Sequence, residues 1–314
     1  AQCVRDVFCT EPEPWQTQAL EALAVYDRVA IRSGHGVGKT ALGAWAIFWF
    51  LTTHYPCRIP CTAPSAPQLE DVLWSELGIW HRKMPPILRQ RFVLTALRLA
   101  LAGAEKEAFA VGRTARKEKP EALQGFHSDN LLFVIDEASG VDDLVFEVAG
   151  GALTSPGAKV LMLSNPTRTT GYFYDAFHAT RHLWHTMHIP STASGRVGPL
   201  YAPEQAARYG IDSDVYRVRV LGEFPTSDTD TVIPLNLIEE AAARDIEPIT
   251  NIMPVWGLDV ARYGSCRTAL VKRRGNEVLE TKTWRKRDTM EVAGLVMHEY
   301  EECHSDLLPA IINV

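Results

Sequence analysis

The sequence lacks closely paired cysteines. Its six cysteines are scattered over 314 residues and form no CxxC pair, which argues against a zinc ribbon and a disulfide scaffold and favours a reducing compartment. Cys57 and Cys61 lie near each other, but no His or Cys cluster accompanies them. We therefore interpret these two residues as free thiols near a strand.

Long apolar segments are also missing, because no run reaches the roughly 20 residues that a helix needs to cross a bilayer. The longest run, residues 41–51, directly follows a glycine-rich phosphate-binding signature and is predicted to be a buried helix. The first residues, AQCVRDVFCTEPEP, contain no basic region followed by an apolar stretch and so do not resemble a secretory signal. We expect no membrane association.

An excess of positive charge is absent too. The formal net charge is −6 and the isoelectric point is near 6.0, so any contact with nucleic acid must use local basic patches. Each such patch, taken alone, is more typical of a solvated face. The candidate patches lie within residues 113–119, 272–274 and 282–287.

Apolar, β-rich segments alternate with helical patterns through the first half of the chain. The strands are predicted from RVAIRS, CRIPCTAP, LLFVIDEA and KVLMLSNP. Strands that alternate with helices predict an α/β fold with a mainly parallel sheet flanked by helices. The polar motifs follow these strands directly, and sheets of this kind bind ligands at the carboxyl ends of their strands.

The pattern changes after residue 225. A polar stretch, TSDTDT, predicts a linker, and the strands WGLDVA, RTALVKR and EVLETKTW then precede a helix over about residues 288–303 and a last apolar run, LLPAIINV. The tight RGN turn between two of these strands indicates a hairpin. The predicted domain organisation is a first α/β domain, a linker and a second, smaller α/β domain over residues 1–225, 226–252 and 253–314.

The glycine-rich loop after RVAIRS is the first chemical motif. Glycines allow successive N–H groups to point at phosphate oxygens, and the following helix adds its positive N-terminal dipole. Lys39 is expected to contact the β- and γ-phosphates, and the Thr40 hydroxyl to bind Mg²⁺. The predicted nucleotide-binding residues of this loop are Ser33, Gly34, His35, Gly36, Val37, Gly38, Lys39 and Thr40.

The second motif is an acidic pair at the end of LLFVIDEA. Asp136 is suited to bind Mg²⁺, and Glu137 to activate an attacking water. A carboxylate pair at a strand end could instead cap a helix. The phosphate-binding loop lies upstream at a separation typical of one domain. Its presence favours the roles of Mg²⁺ ligand and water activation over a helix cap.

A third segment, PWQ, lies upstream of the first strand. The amide of Gln16 could read both the donor and the acceptor of an adenine edge while Trp15 packs nearby. An ordinary helix start explains the same residues equally well.

A fourth segment, SNPT, follows the strand KVLML. Ser164, Asn165 and Thr167 could approach the γ-phosphate and report its presence to the rest of the domain. The alternative is a plain turn built on Asn-Pro.

In their order and composition these segments resemble the large terminase subunits of tailed bacteriophages. The resemblance covers nearly the whole chain, through PEPWQ, RSGHGVGKT, QGFHSDNLLFVIDEA, LSNPTRTTGYFYDAF, YGIDSDVYRVRVLGEFP and WGLDVARYG. It implies a P-loop ATPase that drives double-stranded DNA into a procapsid, followed by a ribonuclease H-like nuclease that cuts concatemeric DNA. The implied partners are DNA, the portal protein, the small terminase subunit and further copies of the chain in a ring, all in the host cytoplasm.

The resemblance also implies cofactors and residue roles. ATP and Mg²⁺ serve the motor, and Mg²⁺ or Mn²⁺ serves the nuclease. Lys39 and Thr40 become ligands of phosphate and Mg²⁺, Asp136 becomes the second metal contact, and Glu137 becomes the catalytic base.

Further positions match the family. Gln16 falls on the adenine-recognition position, residues 164–167 fall on the coupling motif, and Asp259 falls on the first metal-binding carboxylate of the nuclease. One departure concerns that nuclease, because an acid expected near Ser265 or Cys266 is missing.

Arginine in the phosphate-binding loop is the second departure. Many family members carry an arginine where His35 stands, although Arg32 is close by in sequence. We predict that Arg113 or Arg116, in a polar loop before LLFVIDEA, supplies an arginine to a neighbouring subunit. A solvated or DNA-facing loop explains these two residues equally well.

The nuclease is expected to be incomplete in this chain, since the family places a second metal-binding acid at the end of the strand LLPAIINV, where the sequence stops. Asp259 alone cannot bind two metal ions in the geometry that phosphodiester cleavage requires. Two alternatives stand beside the packaging motor: a helicase-like ATPase whose C-terminal part only binds DNA, and a non-catalytic assembly subunit.

Overall fold

The structure is a computed structural model. It describes the chain except residues 115–125, 127, 153–156, 227–240, 242, 245–246, 248, 250, 262–266 and 286, and it describes residues 148–152 by their helical backbone alone. The chain divides into two compact units, Ala1–Asn236 and Leu237–Val314.

An eight-stranded sheet forms the centre of the first unit, in the order β3-β4-β5-β2-β6-β7-β1-β8. Its strands are β1 (Arg28–Ser33), β2 (Cys57–Thr62), β3 (Phe92–Leu94), β4 (Arg98–Leu101), β5 (Ala108–Gly112), β6 (Asn130–Asp136), β7 (Lys159–Ser164) and β8 (His185–Ile189). From β5 to β8 along the sheet, neighbouring strands pair in parallel. The short strands β3 and β4 pair antiparallel at one edge. The prediction of a mainly parallel sheet is confirmed.

Helices precede, connect and follow these strands in the chain. They are α1 (Gln2–Phe8), α2 (Pro14–Val25), α3 (Lys39–Thr53), α4 (Ser75–Lys83), α5 (Pro86–Arg89), α6 (Asp143–Ala152), α7 (Tyr172–Asp175), α8 (Tyr201–Tyr209) and α9 (Asp214–Tyr216). A π-helical turn, Gln68–Trp74, precedes α4, and another, Arg217–Leu221, follows α9. Short 3-10 turns occupy Ala138–Gly140, Arg181–Leu183 and Ser191–Ala193.

Helix α3 is the buried helix that the apolar run predicts. Its side chains are buried on almost every side because they belong to the main hydrophobic cluster together with residues of β1, β2 and β7. Trp45 packs edge-on against Trp80 of α4, with ring centroids 4.9 Å apart. No helix among the described residues is both long and apolar enough to cross a membrane.

The strand order brings the polar motifs together. β1 lies between β7 and β8, and β6 lies beside β7. In register, Arg32 pairs with Ser164 and Asp136 pairs with Leu163. The carboxyl ends of β1, β6 and β7 therefore meet at one edge of the sheet, where the glycine-rich loop begins.

The second unit contains a four-stranded sheet in the order β11-β10-β9-β12. Its elements are β9 (Val255–Asp259), β10 (Arg267–Arg274), β11 (Glu277–Arg285), α10 (Thr289–Glu301) and β12 (Ile311–Asn313). The first three strands are antiparallel, and β12 returns beside β9 in parallel. Three strands, a helix and a fourth strand follow one another in the order that the sequence predicts for this region.

A reciprocal pair of hydrogen bonds caps the start of α10. The carboxylate of Asp288 accepts a hydrogen bond from the Glu291 N–H at 2.7 Å, and the Glu291 carboxylate accepts one from the Asp288 N–H at 3.0 Å. This reciprocal capping box satisfies two N–H groups that the helix leaves unpaired. Trp256, Leu270 and Val292 are among the buried apolar residues in the described part of this unit.

Candidate active site

The glycine-rich loop connects β1 to α3. Gly36 and Gly38 have φ angles of 77° and 90°, in the left-handed region that glycine adopts at no steric cost. Gly34 is required for a different reason, since a Cβ there would lie 2.3 Å from Ser191 Oγ and 2.7 Å from the Val220 carbonyl oxygen. The glycines thus permit both the curled backbone and its close approach to neighbouring segments.

A cavity of about 550 Å³ opens beside this loop. It brings together residues from the loop and from the ends of β6 and β7, as the sequence predicts. The lining residues are His35, Gly36, Val37, Gly38, Lys39, Thr40, Ala41, Glu76, Glu137, Asn165 and Arg196. Glu76 and Arg196 are residues that the sequence motifs do not identify.

Lys39 is the central cation of the cavity. Its side chain is only 8% exposed, and its Nζ donates a hydrogen bond to Asn165 Oδ1 at 3.0 Å and lies 3.9 Å from Glu137 Oε1. Burial lowers the pKa of the Lys39 ammonium. Asn165 Nδ2 in turn donates to the Ser33 carbonyl oxygen at 2.6 Å, so Asn165 connects the end of β7 to Lys39 and to the start of the loop.

Asp136 and Glu137 lie at the end of β6. Burial, followed by the charge of Glu137, raises the pKa of Asp136 to about 7. The Asp136 carboxylate is 3% exposed and accepts a hydrogen bond from the Glu137 N–H at 3.1 Å. Glu137 has a φ angle of 49°, a conformation that costs roughly 1–3 kcal/mol for residues other than glycine and that clusters at active sites.

The donor set at this edge fits Mg²⁺. Thr40 supplies a hydroxyl and Asp136 a buried carboxylate, and Mg²⁺ is bound by oxygen ligands, commonly one or two carboxylates together with substrate phosphates. A divalent cation would also stabilise the ionised form of Asp136, which burial disfavours.

Ser139 links the segments after β6 and β7, and the sequence gives no sign of this role. Its Oγ accepts hydrogen bonds from the N–H groups of Thr167 and Arg168 at 3.1 and 3.2 Å. Its own N–H donates to Ser164 Oγ at 3.0 Å, and Ser164 Oγ lies 3.3 Å from Glu137 Oε2. The residues predicted to report on the γ-phosphate are therefore bonded to the segment that carries the acidic pair.

Gln16 contacts the glycine-rich loop. The side chain is 1% exposed, its Nε2 donates to the Gly38 carbonyl oxygen at 3.2 Å, and its Oε1 accepts from the Glu13 N–H at 2.9 Å. The Trp15 indole is buried and donates to Glu13 Oε2 at 2.9 Å. Adenine recognition by Gln16 and Trp15 stays a prediction, whereas contact with the loop is observed.

The arginines that the sequence analysis considers for phosphate binding do not line the cavity, as far as the structure describes them. Arg113 is exposed after β5 and does not line the cavity, and Arg116 lies outside the described residues. Arg32 does not line it either: its guanidinium carbon is 5.6 and 5.4 Å from the ring centroids of Phe177 and Phe224. Burial lowers the pKa of Arg32.

Asp259 is exposed at the end of β9. Among the described residues, no group of three or more His, Cys, Asp or Glu side chains could bind a metal ion, and Ser265 and Cys266 lie outside those residues. The two-metal chemistry that the family implies is not supported by the described residues near Asp259, and its nuclease role stays a prediction.

Comparison with known proteins gives a consistent picture. No family profile matches the chain. The chain is 30% identical over 265 residues to a protein named probable terminase, large subunit, from Enterobacteria phage P7, an alignment that covers 80% of this chain and 53% of that protein. The chain thus spans about half the length of this curated relative.

Solved structures share the fold. The large terminase of the thermophilic bacteriophage D6E in complex with ADP aligns with 96% of this chain and 77% of its own, at a TM-score of 0.56 and 13% identity. The large terminase ATPase domain of Thermus phage P74-26 aligns with 71% of this chain and 98% of its own, at a TM-score of 0.56 and 16% identity.

Proposed function

We propose that this chain, which resembles phage large terminase subunits in sequence and in fold, is the ATP-hydrolysing motor of a DNA-packaging terminase. The observation that carries the proposal is the convergence of Lys39, Asn165 and Glu137 in one cavity beside the glycine-rich loop. Phosphoryl transfer to water requires a cation that binds the phosphates and a group that positions or activates the water. Lys39 and Glu137 are suited to these two tasks, and Asn165 is a polar contact beside both.

In the proposed reaction, N–H groups of the loop and Lys39 bind the phosphates of ATP. Thr40 and Asp136 would bind Mg²⁺, which supplies charge neutralisation at the phosphates when bound. Glu137 accepts a proton from the attacking water as general base. Lys39 Nζ lies 3.9 Å from Glu137 Oε1, so the phosphate-binding cation and the proposed base face the same cavity.

Coupling of hydrolysis to movement is proposed to start at Asn165. This residue contacts both Lys39 and the Ser33 carbonyl oxygen, so loss of the γ-phosphate would change its partners. Ser139 would transmit that change between the segments after β6 and β7, to which it is bonded. Movement between two arrangements of packed elements is how nucleotide switches act at a distance.

The remaining assignments follow from the family. We propose double-stranded DNA, a portal protein and a small terminase subunit as partners, with action at the procapsid in the host cytoplasm and a homo-oligomeric ring as the active form.

Arg113 or Arg116 would supply an arginine to the ATP site of a neighbouring subunit. If so, mixing Arg113→Ala or Arg116→Ala chains with Glu137→Gln chains restores some turnover, whereas absence of complementation at every ratio contradicts the assignment.

Residues 253–314 are proposed to belong to a ribonuclease H-like nuclease domain that follows an ATPase domain over residues 1–225 and a linker over residues 226–252. The order of β9, β10, β11, α10 and β12 supports this proposal. Such a domain would cut concatemeric DNA with Asp259 as one metal ligand.

The direct test is ATP hydrolysis by the purified chain with and without double-stranded DNA. We expect turnover that DNA stimulates and that Lys39→Ala abolishes. The exposed residue Lys106 provides a control with the same change, Lys106→Ala, which should retain turnover. No hydrolysis under any condition, together with no ATP binding, would overturn the proposal.

A further inference from the structure

Residues 191–198, which we call the covering segment, lie against the glycine-rich loop. Ser191 Oγ lies 2.8 Å from the His35 carbonyl oxygen. A Cβ placed on Gly36 would lie 3.2 Å from Val197 Cγ2, and one placed on Gly38 would lie 3.2 Å from both Cδ and Nε of Arg196. The segment therefore follows the loop along its length and brings one arginine to the edge of the nucleotide cavity.

Glu13 fixes the position of the covering segment. Its Oε1 accepts a hydrogen bond from the Arg196 N–H at 3.2 Å, and its Oε2 accepts one from Ser194 Oγ at 2.7 Å. The same Oε2 also accepts from the Trp15 indole N–H at 2.9 Å. The start of α2 thus has two contacts near the cavity: Gln16 bonds to the glycine-rich loop, and Glu13, the residue before the helix, bonds to the covering segment.

The Arg196 side chain is exposed and has no hydrogen bond or ion pair with any residue described, since the hydrogen bonds of this residue are made by its backbone N–H. The other cation lining the cavity is Lys39, whose Nζ already contacts Asn165 and faces Glu137. Two carboxylates, Glu76 and Glu137, line the same cavity, so a further cation there would favour entry of a triphosphate.

We propose that Arg196 binds the phosphate chain of ATP from within the same chain, and that Glu13 is the residue that positions it. A guanidinium is suited to this because its fork of N–H donors matches phosphate oxygens. The inference rests on the proposed function. It concerns nucleotide binding in one subunit and is independent of any arginine from a neighbour.

The first experiment measures the Kd of ATP by titration for the wild-type chain and for Arg196→Ala. One charge-assisted contact to phosphate is worth about 1.5–3 kcal/mol, so we expect Kd to rise roughly 10- to 100-fold, with Arg196→Lys between the two. Arg208→Ala, which removes an exposed arginine of α8 away from the cavity lining, should bind as wild type. Wild-type affinity in Arg196→Ala overturns the inference.

A competition arm identifies the part of ATP that is bound. The inhibition constant of inorganic tripolyphosphate, which has no base, should rise in Arg196→Ala by about the same factor as the Kd of ATP. An unchanged inhibition constant of tripolyphosphate, with ATP binding weakened, would mean that Arg196 contacts the nucleoside part of ATP, and would overturn the phosphate assignment. Failure of the wild-type chain to bind ATP, with Lys39→Ala no different, would instead overturn the proposed function itself.

A double-mutant cycle tests the role of Glu13. We expect Glu13→Gln to raise the Kd of ATP about 5-fold in the wild-type background and to have no further effect in Arg196→Ala, because coupled residues are not additive. A purely structural role for Glu13 would weaken binding equally in both backgrounds, and that result would overturn its assignment as a positioning residue.

Discussion

The two compact units differ in how their predicted chemical residues are supported. In the first unit, Lys39, Glu137 and Asn165 come from three neighbouring parallel strands or the loops after them, and they contact one another directly. In the second unit, Asp259 ends a strand in the same way, but it is exposed. The described residues around it offer no cluster that could bind a metal.

The difference shows that an acid at the end of a strand is not sufficient evidence of a site. Parallel strands bring their carboxyl ends to one edge, so residues far apart in sequence converge there. In the second unit the neighbours of β9 are an antiparallel strand and the short β12. Polar side chains in that unit instead form an ion cluster in which Lys272 contacts Glu280 and Glu299, both at 2.7 Å.

The largest effect is expected at Glu137. Glu137→Gln removes the general base but leaves the phosphate-binding loop intact, so ATP turnover should fall by roughly 10²- to 10⁴-fold while the Kd of ATP stays near the wild-type value. Single-turnover hydrolysis and ATP titration separate the two quantities. Glu147→Gln, at an exposed acid of α6, is the matched control. Turnover at the wild-type rate in Glu137→Gln would contradict the role given to Glu137.

The second prediction concerns the ion cluster of the second unit. Lys272 is 5% exposed and its Nζ lies 4.6 Å from the centroid of the buried Trp256 ring. Lys272→Met keeps the aliphatic stem but leaves Glu299 with one cationic partner fewer. We expect a loss of about 2 kcal/mol of local stability, since breaking a buried charge pair exposes a desolvation cost.

Hydrogen exchange in β9, β10 and β11 measures that loss, because exchange reports local opening free energy. The rate should rise about 30-fold. Arg273→Met, at the adjacent exposed position of β10, should leave exchange unchanged. If both variants behave alike, the cluster is not a stabilising feature of this unit.

The central strands could be predicted from the sequence, and the edge strands could not. β1, β2, β6 and β7 are mostly buried, their apolar residues predict strands, and the structure confirms them. β3 and β4 are short and lie at an edge, where no continuous apolar run is required. β8 is partly exposed and reads HTMHI, so it also gives no clear strand signal.

Residues of the candidate site could be predicted where they belong to a short sequence motif. Lys39, Asp136 and Glu137 are defined by the residues next to them in sequence. Ser139 and Glu13 are not, because their hydrogen bonds join segments that are distant in the chain, such as Glu13 and Ser194. Tertiary contacts of this kind have no periodic or motif signature in a single sequence.

Ser139 offers a moderate test of how the first unit connects its motifs. Ser139→Ala would remove the acceptor of the Thr167 and Arg168 N–H groups, a loss worth about 0.5–1.5 kcal/mol for each hydrogen bond. We expect ATP turnover to fall about 10-fold, because Ser139 bonds to the segment after β7 that is proposed to couple hydrolysis to movement. The Kd of ATP should change little, because Ser139 does not line the cavity. Steady-state kinetics and ATP titration check this split, with Ser128→Ala as the control. A rise in Kd without loss of turnover would exclude a coupling role.

The smallest effect is expected at Asp259. Asp259→Ala should leave ATP turnover unchanged, because this carboxylate is exposed and belongs to the second compact unit. We also expect no Mn²⁺-dependent cleavage of plasmid DNA by the 314-residue chain, with or without the substitution. The residues that follow Asp259, VARYGSC, contain no acid, and the neighbouring strand β12 reads IIN. Two-metal cleavage needs ligands beyond a single carboxylate. Cleavage by the purified chain that Asp259→Ala removes would show that acids elsewhere in the chain complete a site, and the contrast between the two units would no longer hold.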